Sequence, residues 1–153
     1  MLVEPSLKEV WCETLDDITL IWSDAGADRF EFVQAKSNEP DQLWSITLLC
    51  RRPPGKSKKS PRDSIVQKSL AHDRGKEPCC FRIVTARDFK KELASFTLDT
   101  NAPGRKTGVQ LTKLAITFEK SHRVTPPPAS PNGNGLAFWL ERAVLEVAGV
   151  QPR

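Results

Sequence analysis

The stretch DDITLIWSDAGADRFEFVQAK, residues 16–36, decides the fold. In its first third Ile18, Leu20 and Trp22 alternate with Thr19 and Ile21, which predicts a β-strand over 16–22. SDAGAD, 23–28, has the chemistry of a turn. RFEFVQAK, 29–36, then predicts the returning strand of a hairpin. Within it Gln34 and Lys36 sit two apart, among Phe30, Phe32, Val33 and Ala35. Side chains at i and i+2 share a face, so an amide and an ammonium project together on the face that carries Phe32. A hairpin also brings the start of one strand beside the end of the other, which sets the acids Asp16 and Asp17 near Gln34 and Lys36.

One carboxylate, one amide oxygen and one lysine at a sheet edge form a candidate hard-metal site. Mg2+ prefers oxygen ligands and keeps several waters, so few protein ligands suffice when phosphate oxygens complete the shell. A bound ion can activate water and neutralise charge on a phosphoryl centre, and a neighbouring lysine can stabilise the developing oxyanion. Adjacent strand residues face opposite ways, so one of the two acids joins the site, and parity leaves Asp16 and Asp17 as alternatives. Glu31 falls on the opposite face from Gln34 and is left out.

Outward from the hairpin, LKEVWCE (7–13) is short and extended. Helices are expected over 41–52, with Leu43, Trp44, Thr47 and Leu48 on one face, and over 63–74. Between them RRPPGKSKKSPR (51–62) is a basic loop, with Arg51, Arg52, Lys56, Lys58, Lys59 and Arg62 and no acid. Such a density of cations attracts phosphate and makes binding depend on salt. CCFRIV (79–84) predicts a buried strand, and Cys79 and Cys80 at its start serve structure. A helix should follow over 85–96, with Thr85 and Asp88 resembling a capping box. VQLTKLAITF (109–118) alternates like a strand, 124–135 is a Pro/Gly loop, and a last helix carries Leu136, Trp139, Leu140, Ala143, Val144 and Val147, stopping at Gly149. The order β-β-α-loop-α-β-α-β-α predicts a mixed α/β sheet with helices packed on it. His72 and His122 have no partner pattern and are expected at the surface, and the four tryptophans in the core.

The chain's 153 residues suit one domain, 1–153. The net charge of +4 and pI near 9.0 permit an anionic partner. Four cysteines without a CxxC pair, and only two histidines, argue against structural zinc. MLVEPSLKEVW lacks the apolar segment of a signal peptide, and no apolar run approaches the roughly 18 residues of a membrane span. The expectation is a cytoplasmic chain with reduced thiols and no membrane.

DD…FEFVQAK resembles the active-site hairpin of the PD-(D/E)xK nuclease superfamily, in which an Asp on one strand precedes a (D/E)xK triplet on the next. More narrowly, CETLDDITLIW, FEFVQAKS and SLAHDRGKEPCCFRIVTARDFKKEL resemble the N-terminal double-stranded DNA endonuclease domain of CD-NTase-associated (CBASS) defence effectors, with its DD pair and QxK triplet. The likeness runs from about residue 10 to residue 98. It implies a restriction-endonuclease-like core, a β-hairpin followed by helices and further strands. It further implies an Mg2+- (or Mn2+-) dependent deoxyribonuclease that hydrolyses phosphodiester bonds of double-stranded DNA in anti-phage defence. On that likeness Asp17 is the metal-binding acid, with Asp16 as the alternative. Gln34 stands in place of the usual Asp or Glu as catalytic and metal-binding residue, and Lys36 is the catalytic lysine. The family's first helix precedes its hairpin, whereas few residues do so here, so a chain cut short at its N-terminus is expected. The C-terminal sensor of cyclic oligonucleotides has no counterpart in the sequence, which implies a separate or missing regulatory domain, and a homo-oligomer is allowed. The competing functions are an inactive nucleic-acid-binding module and a structural interaction domain.

Overall fold

The computed structural model describes residues 4–13, 17–36, 42–57 and 61–149. The hairpin forms as predicted. Strands β2 (Asp17–Asp24) and β3 (Ala27–Lys36) run antiparallel in unbroken register from Asp17↔Gln34 to Asp24↔Ala27. Ala25 and Gly26, with φ of 51° and 84°, make the two-residue turn. Positive φ at both positions matches the right-handed twist of the strands being joined.

Strand β1 (Ser6–Cys12) is a full strand, paired antiparallel with β2. A register shift between Leu7 and Glu9 leaves Lys8 unpaired. Such a bulge switches the facing of every later residue in the strand, which blurs the period-2 pattern in the sequence. Strand β4 (Cys79–Thr85) lies parallel to β3, and β5 (Ala143–Val147) parallel to β4, giving the order β1-β2-β3-β4-β5. The protein is thus a mixed α/β chain with a five-stranded mixed sheet and helices, a restriction-endonuclease-like α+β architecture.

Several expected elements are corrected. Residues 109–118 are not a strand: they lie inside α3 (Gly108–His122), whose buried stripe is Leu111, Ala115, Phe118 and His122. The period-2 reading takes Val109 as apolar and inward, yet it is 71% exposed. The expected last helix is two elements. Helix α4 (Leu136–Arg142) passes straight into β5, whose Ala143, Val144 and Leu145 are all buried. Arg105 serves that break: its buried guanidinium donates to the Leu140 and Ala143 carbonyls, which the ending helix leaves without an intrahelical partner. The first helix shrinks to α1 (Ile46–Cys50), capped by Ser45. Trp44 stays extended in a bridge with Phe89. That bridge also prevents the helix expected over 85–96, where a 3-10 helix spans only Lys91–Thr97. The expected 63–74 helix is α2 (Ile65–Leu70), and the capping box lies at Ser64 and Gln67, not at Thr85 and Asp88.

The core fills one face of the sheet. Phe81 and Ile83 of β4 and Leu145 of β5 pack with Leu49, Leu70, Phe118 and Trp139 from all four helices. Trp44 and Trp139 are core residues as expected, but Trp11 is half exposed. The opposite face carries an ion ladder in which Arg82 bridges Glu31 and Glu146. Cys79 is buried and Cys80 half-buried at the start of β4.

Candidate active site

Asp17 lies directly across the hairpin from Gln34, and Lys36 lies beside Thr85 of β4. Residues opposite one another in a ladder share a face. Asp17, Gln34, Lys36 and Thr85 therefore fall together on the helix-covered face, at the end of the sheet where β3 and β4 finish. Asp16 lies outside the described residues. Glu31 points the other way, bound to Arg82 and to the Trp22 indole N–H.

Gln34 is 1% exposed. Its Nε2 donates to Ser69 Oγ at 3.2 Å and to the Ile65 carbonyl at 3.4 Å. A carbonyl can only accept, so these two contacts fix which end of the amide is nitrogen. Oε1 is turned away from them, buried and without a hydrogen-bond partner among the described residues. A buried acceptor left unpaired costs about 1–3 kcal/mol, which a ligand at that oxygen would recover. Sequence reasoning identifies Gln34 but not Ser69 or Ile65, because a partner 31 or 35 residues away leaves no local signal.

Helix α2 holds those two partners in place, and α3 holds α2. His122 Nδ1 lies 2.8 Å from the Phe118 carbonyl, so it carries the proton; Nε2 then accepts from the Ser64 hydroxyl at 2.8 Å. Ser64 also caps α2 by accepting from the Gln67 N–H. His122, expected at the surface, is therefore a buried brace. Burial pushes its pKa below the ordinary histidine value against the Phe118 carbonyl, and the Arg52 charge lowers it further. His72 is likewise no ordinary surface residue: it stacks on Phe32 with ring centroids 4.9 Å apart.

The basic loop joins α1 to α2 without regular structure over the described parts of 51–62. The Arg62 N–H donates to the Pro53 carbonyl, tying its two ends together. Arg51, Lys56 and Arg62 are exposed and Arg52 is half-buried, with an Arg52 N–H on the Pro61 carbonyl. Lys58 and Lys59 lie outside the described residues. Because the loop runs straight into Ser64 and α2, its cations stand next to the helix that holds Gln34.

A cleft of about 180 Å3 opens farther along the same face, toward Phe30 and Cys79, lined by Trp11, Glu13, Thr19, Phe32 and His72 and by none of Asp17, Gln34 or Lys36. The Glu13 N–H donates to the Asp17 carbonyl, so an acid borders the site on that side. A larger concavity of about 870 Å3 lies around Trp22, Arg29 and Arg82, on the face away from Gln34. Its Arg82 and Arg142 are already paired with carboxylates. Among the described residues no three His, Cys, Asp or Glu side chains are gathered for a metal. The Asp17 carboxylate and the orphaned Gln34 oxygen still fit a hard divalent cation, which takes oxygen donors and completes its shell with water and phosphate. No helix among the described residues is long and apolar enough to cross a membrane.

Comparison with known proteins identifies a family for the chain. The family model described as Cap4, dsDNA endonuclease domain, matches residues 1–121. No curated protein and no solved structure matches the chain. The matched region takes in the whole hairpin, the basic loop, β4 and most of α3, and the chain belongs to the Cap4 double-stranded DNA endonuclease domain family.

Proposed function

We propose that this chain is a divalent-metal-dependent endonuclease of double-stranded DNA acting in anti-phage defence. The observation that carries the proposal is the buried Oε1 of Gln34, unpaired among the described residues, on the same ladder rung as Asp17 and on the face of Lys36, in a chain of this family. Asp17 and Gln34 Oε1 would hold Mg2+ or Mn2+. The ion, when bound, supplies charge neutralisation at the phosphoryl oxygens and an acidified water. Lys36 brings a positive charge to the same face, where it orients the attacking water or stabilises charge that builds on phosphorus-bound oxygen. Hydrolysis joins the water oxygen to phosphorus, breaks one P–O ester bond and leaves the proton on the departing oxygen. The cations of Arg51, Arg52, Lys56, Lys58, Lys59 and Arg62 draw the DNA backbone toward the loop.

Gln34 brings one negative charge fewer than the usual carboxylate. The ion is then held weakly until a DNA phosphate joins the shell, and metal titration should show tighter binding with duplex DNA than without. The decisive experiment incubates plasmid with the protein in Mg2+, in EDTA, and with Lys36→Ala. Cutting that needs metal and is lost in the variant supports the proposal. Salt-sensitive binding without cutting would replace it with a binding module.

A further inference from the structure

Beyond the hairpin and the loop, the end of β4 carries a cation with no assigned task. Arg87 follows Thr85 by two residues, and Thr85 is the register partner of Lys36. The Arg87 guanidinium lies over the Trp44 ring, 4.9 Å from its centroid. Trp44 is itself fixed, since its indole N–H donates to Thr85 Oγ1 at 2.8 Å. Its backbone is bonded to Asp88 and Lys90 on either side. The Arg87 N–H also donates to Thr85 Oγ1, which closes a tight turn at the strand end. The guanidinium therefore stands on a rigid platform, in the turn two residues past Thr85, the register partner of Lys36. Its Nε is buried and lacks a hydrogen-bond partner among the described residues, and none of their carboxylates forms an ion pair with it. A guanidinium held over an indole and without a carboxylate partner among the described residues is placed to take a phosphate, whose oxygens it can bind two at a time. A lysine would lack both the stacking and the fork.

We infer that Arg87 is a substrate-binding residue that grips a DNA phosphate beside the one being cut, and so sets the register of the strand over Lys36. This rests on the nuclease reading above. The test measures duplex binding across a salt titration, in Mg2+, with Lys36→Ala as the non-cutting background. Arg87→Met is added to that background to keep an apolar stem on Trp44 while removing the charge, and Arg87→Lys keeps the charge without the fork. Arg87→Met should weaken binding by about 10- to 100-fold and reduce the slope of log affinity against log salt by about 0.9. Arg87→Lys should keep most of the slope and lose part of the affinity. Affinity and slope unchanged in Arg87→Met would overturn the inference while leaving the nuclease reading intact. Failure of the Lys36→Ala background to bind any duplex would sink both. Thermal unfolding of each variant separates lost binding from lost folding, and Arg87→Lys carries the test if Arg87→Met does not fold.

Discussion

Replacing Gln34 by Glu turns QAK into the (D/E)xK triplet that it resembles, and the structure sets the cost of doing so. The amide nitrogen now donates to Ser69 Oγ and to the Ile65 carbonyl. In the variant the Ser69 hydroxyl can rotate and donate to the new carboxylate, so that bond survives. The Ile65 carbonyl cannot, and it would face a carboxylate at a site where the parent residue is 1% exposed. Losing that donor and setting a carboxylate against a carbonyl that already accepts the Ser69 N–H within α2 costs about 1–3 kcal/mol, and burying the charge adds to it. The expected loss is about 2–4 kcal/mol at pH 8 without metal, which lowers Tm by roughly 4–16 °C for a chain of this size. Burial raises the folded-state pKa of the new carboxyl, and its protonated form can donate to Ile65. The loss should therefore shrink toward acid and grow as pH rises above the unfolded value of about 4.3. Mg2+ at pH 8 should offset much of it, and more in the variant than in the parent. Circular dichroism melts at pH 5 and pH 8, in EDTA and in Mg2+, read all of this. A pH 8 melt in EDTA within about 1 °C of the parent would refute the assigned amide orientation. A melt that Mg2+ leaves unmoved would refute the metal reading.

His122 gives a second pH signature. Its folded-state pKa is depressed, so its contribution is whole above the unfolded value near 6.5 and is lost as pH falls below it. Denaturant unfolding between pH 7 and 5 should show that slope, and His122→Gln should flatten it. The helical reading of α3 predicts that Val109→Lys is within about 0.5 kcal/mol of neutral, whereas Phe118→Ala, fully buried, costs about 3–5 kcal/mol. Equal costs in urea melts would favour a strand instead. Neutralising Arg51, Arg52 and Arg62 together should lower the salt slope of duplex binding by about 0.9 for each arginine that touches phosphate, and an unchanged slope would remove the loop from the interface.

The hairpin is legible in the sequence because its two signals are local: apolar runs of strand length on either side and a turn that tolerates positive φ. The face shared by Gln34 and Lys36 comes from period 2 alone. The choice of Asp17 as the acid opposite Gln34 does not, because it depends on the ladder rung that joins the strands. Helix α3 escapes a reading by period since its buried stripe closes only when His122 counts as an inward residue, and histidine at a helix end carries no such mark. The run from Leu136 to Val147 keeps a helical spacing across two elements because β5 buries residues of both parities. The residue that meets the freed carbonyls there is Arg105, more than thirty positions upstream. The partners that orient Gln34, and the indole platform beneath Arg87, are likewise tertiary contacts with no counterpart in spacing.

The environment of Gln34 also bears on whether the missing carboxylate marks a decayed site. Helix α2 presents its Ile65 carbonyl and the Ser69 hydroxyl to the sheet at this rung. An amide can answer that carbonyl with a donor and keep an oxygen for another task, which an ionised carboxylate cannot do. Glutamine thus lets α2 pack directly over the rung while one acceptor stays aimed elsewhere. A residue that served packing alone could do so without leaving a fully buried acceptor unmet, and a methionine of similar length would leave none. The oxygen beside Asp17, unmet among the described residues, is therefore a cost in stability that packing does not explain and that the proposed cation would offset. On that reasoning Gln34→Met should fall within about 1 kcal/mol of the parent in stability in EDTA, because removing the unmet acceptor offsets the two lost amide bonds of about 1 kcal/mol each. It should also abolish any stabilisation by Mg2+, and a melt in which Mg2+ still stabilises Gln34→Met would move the ion away from this oxygen.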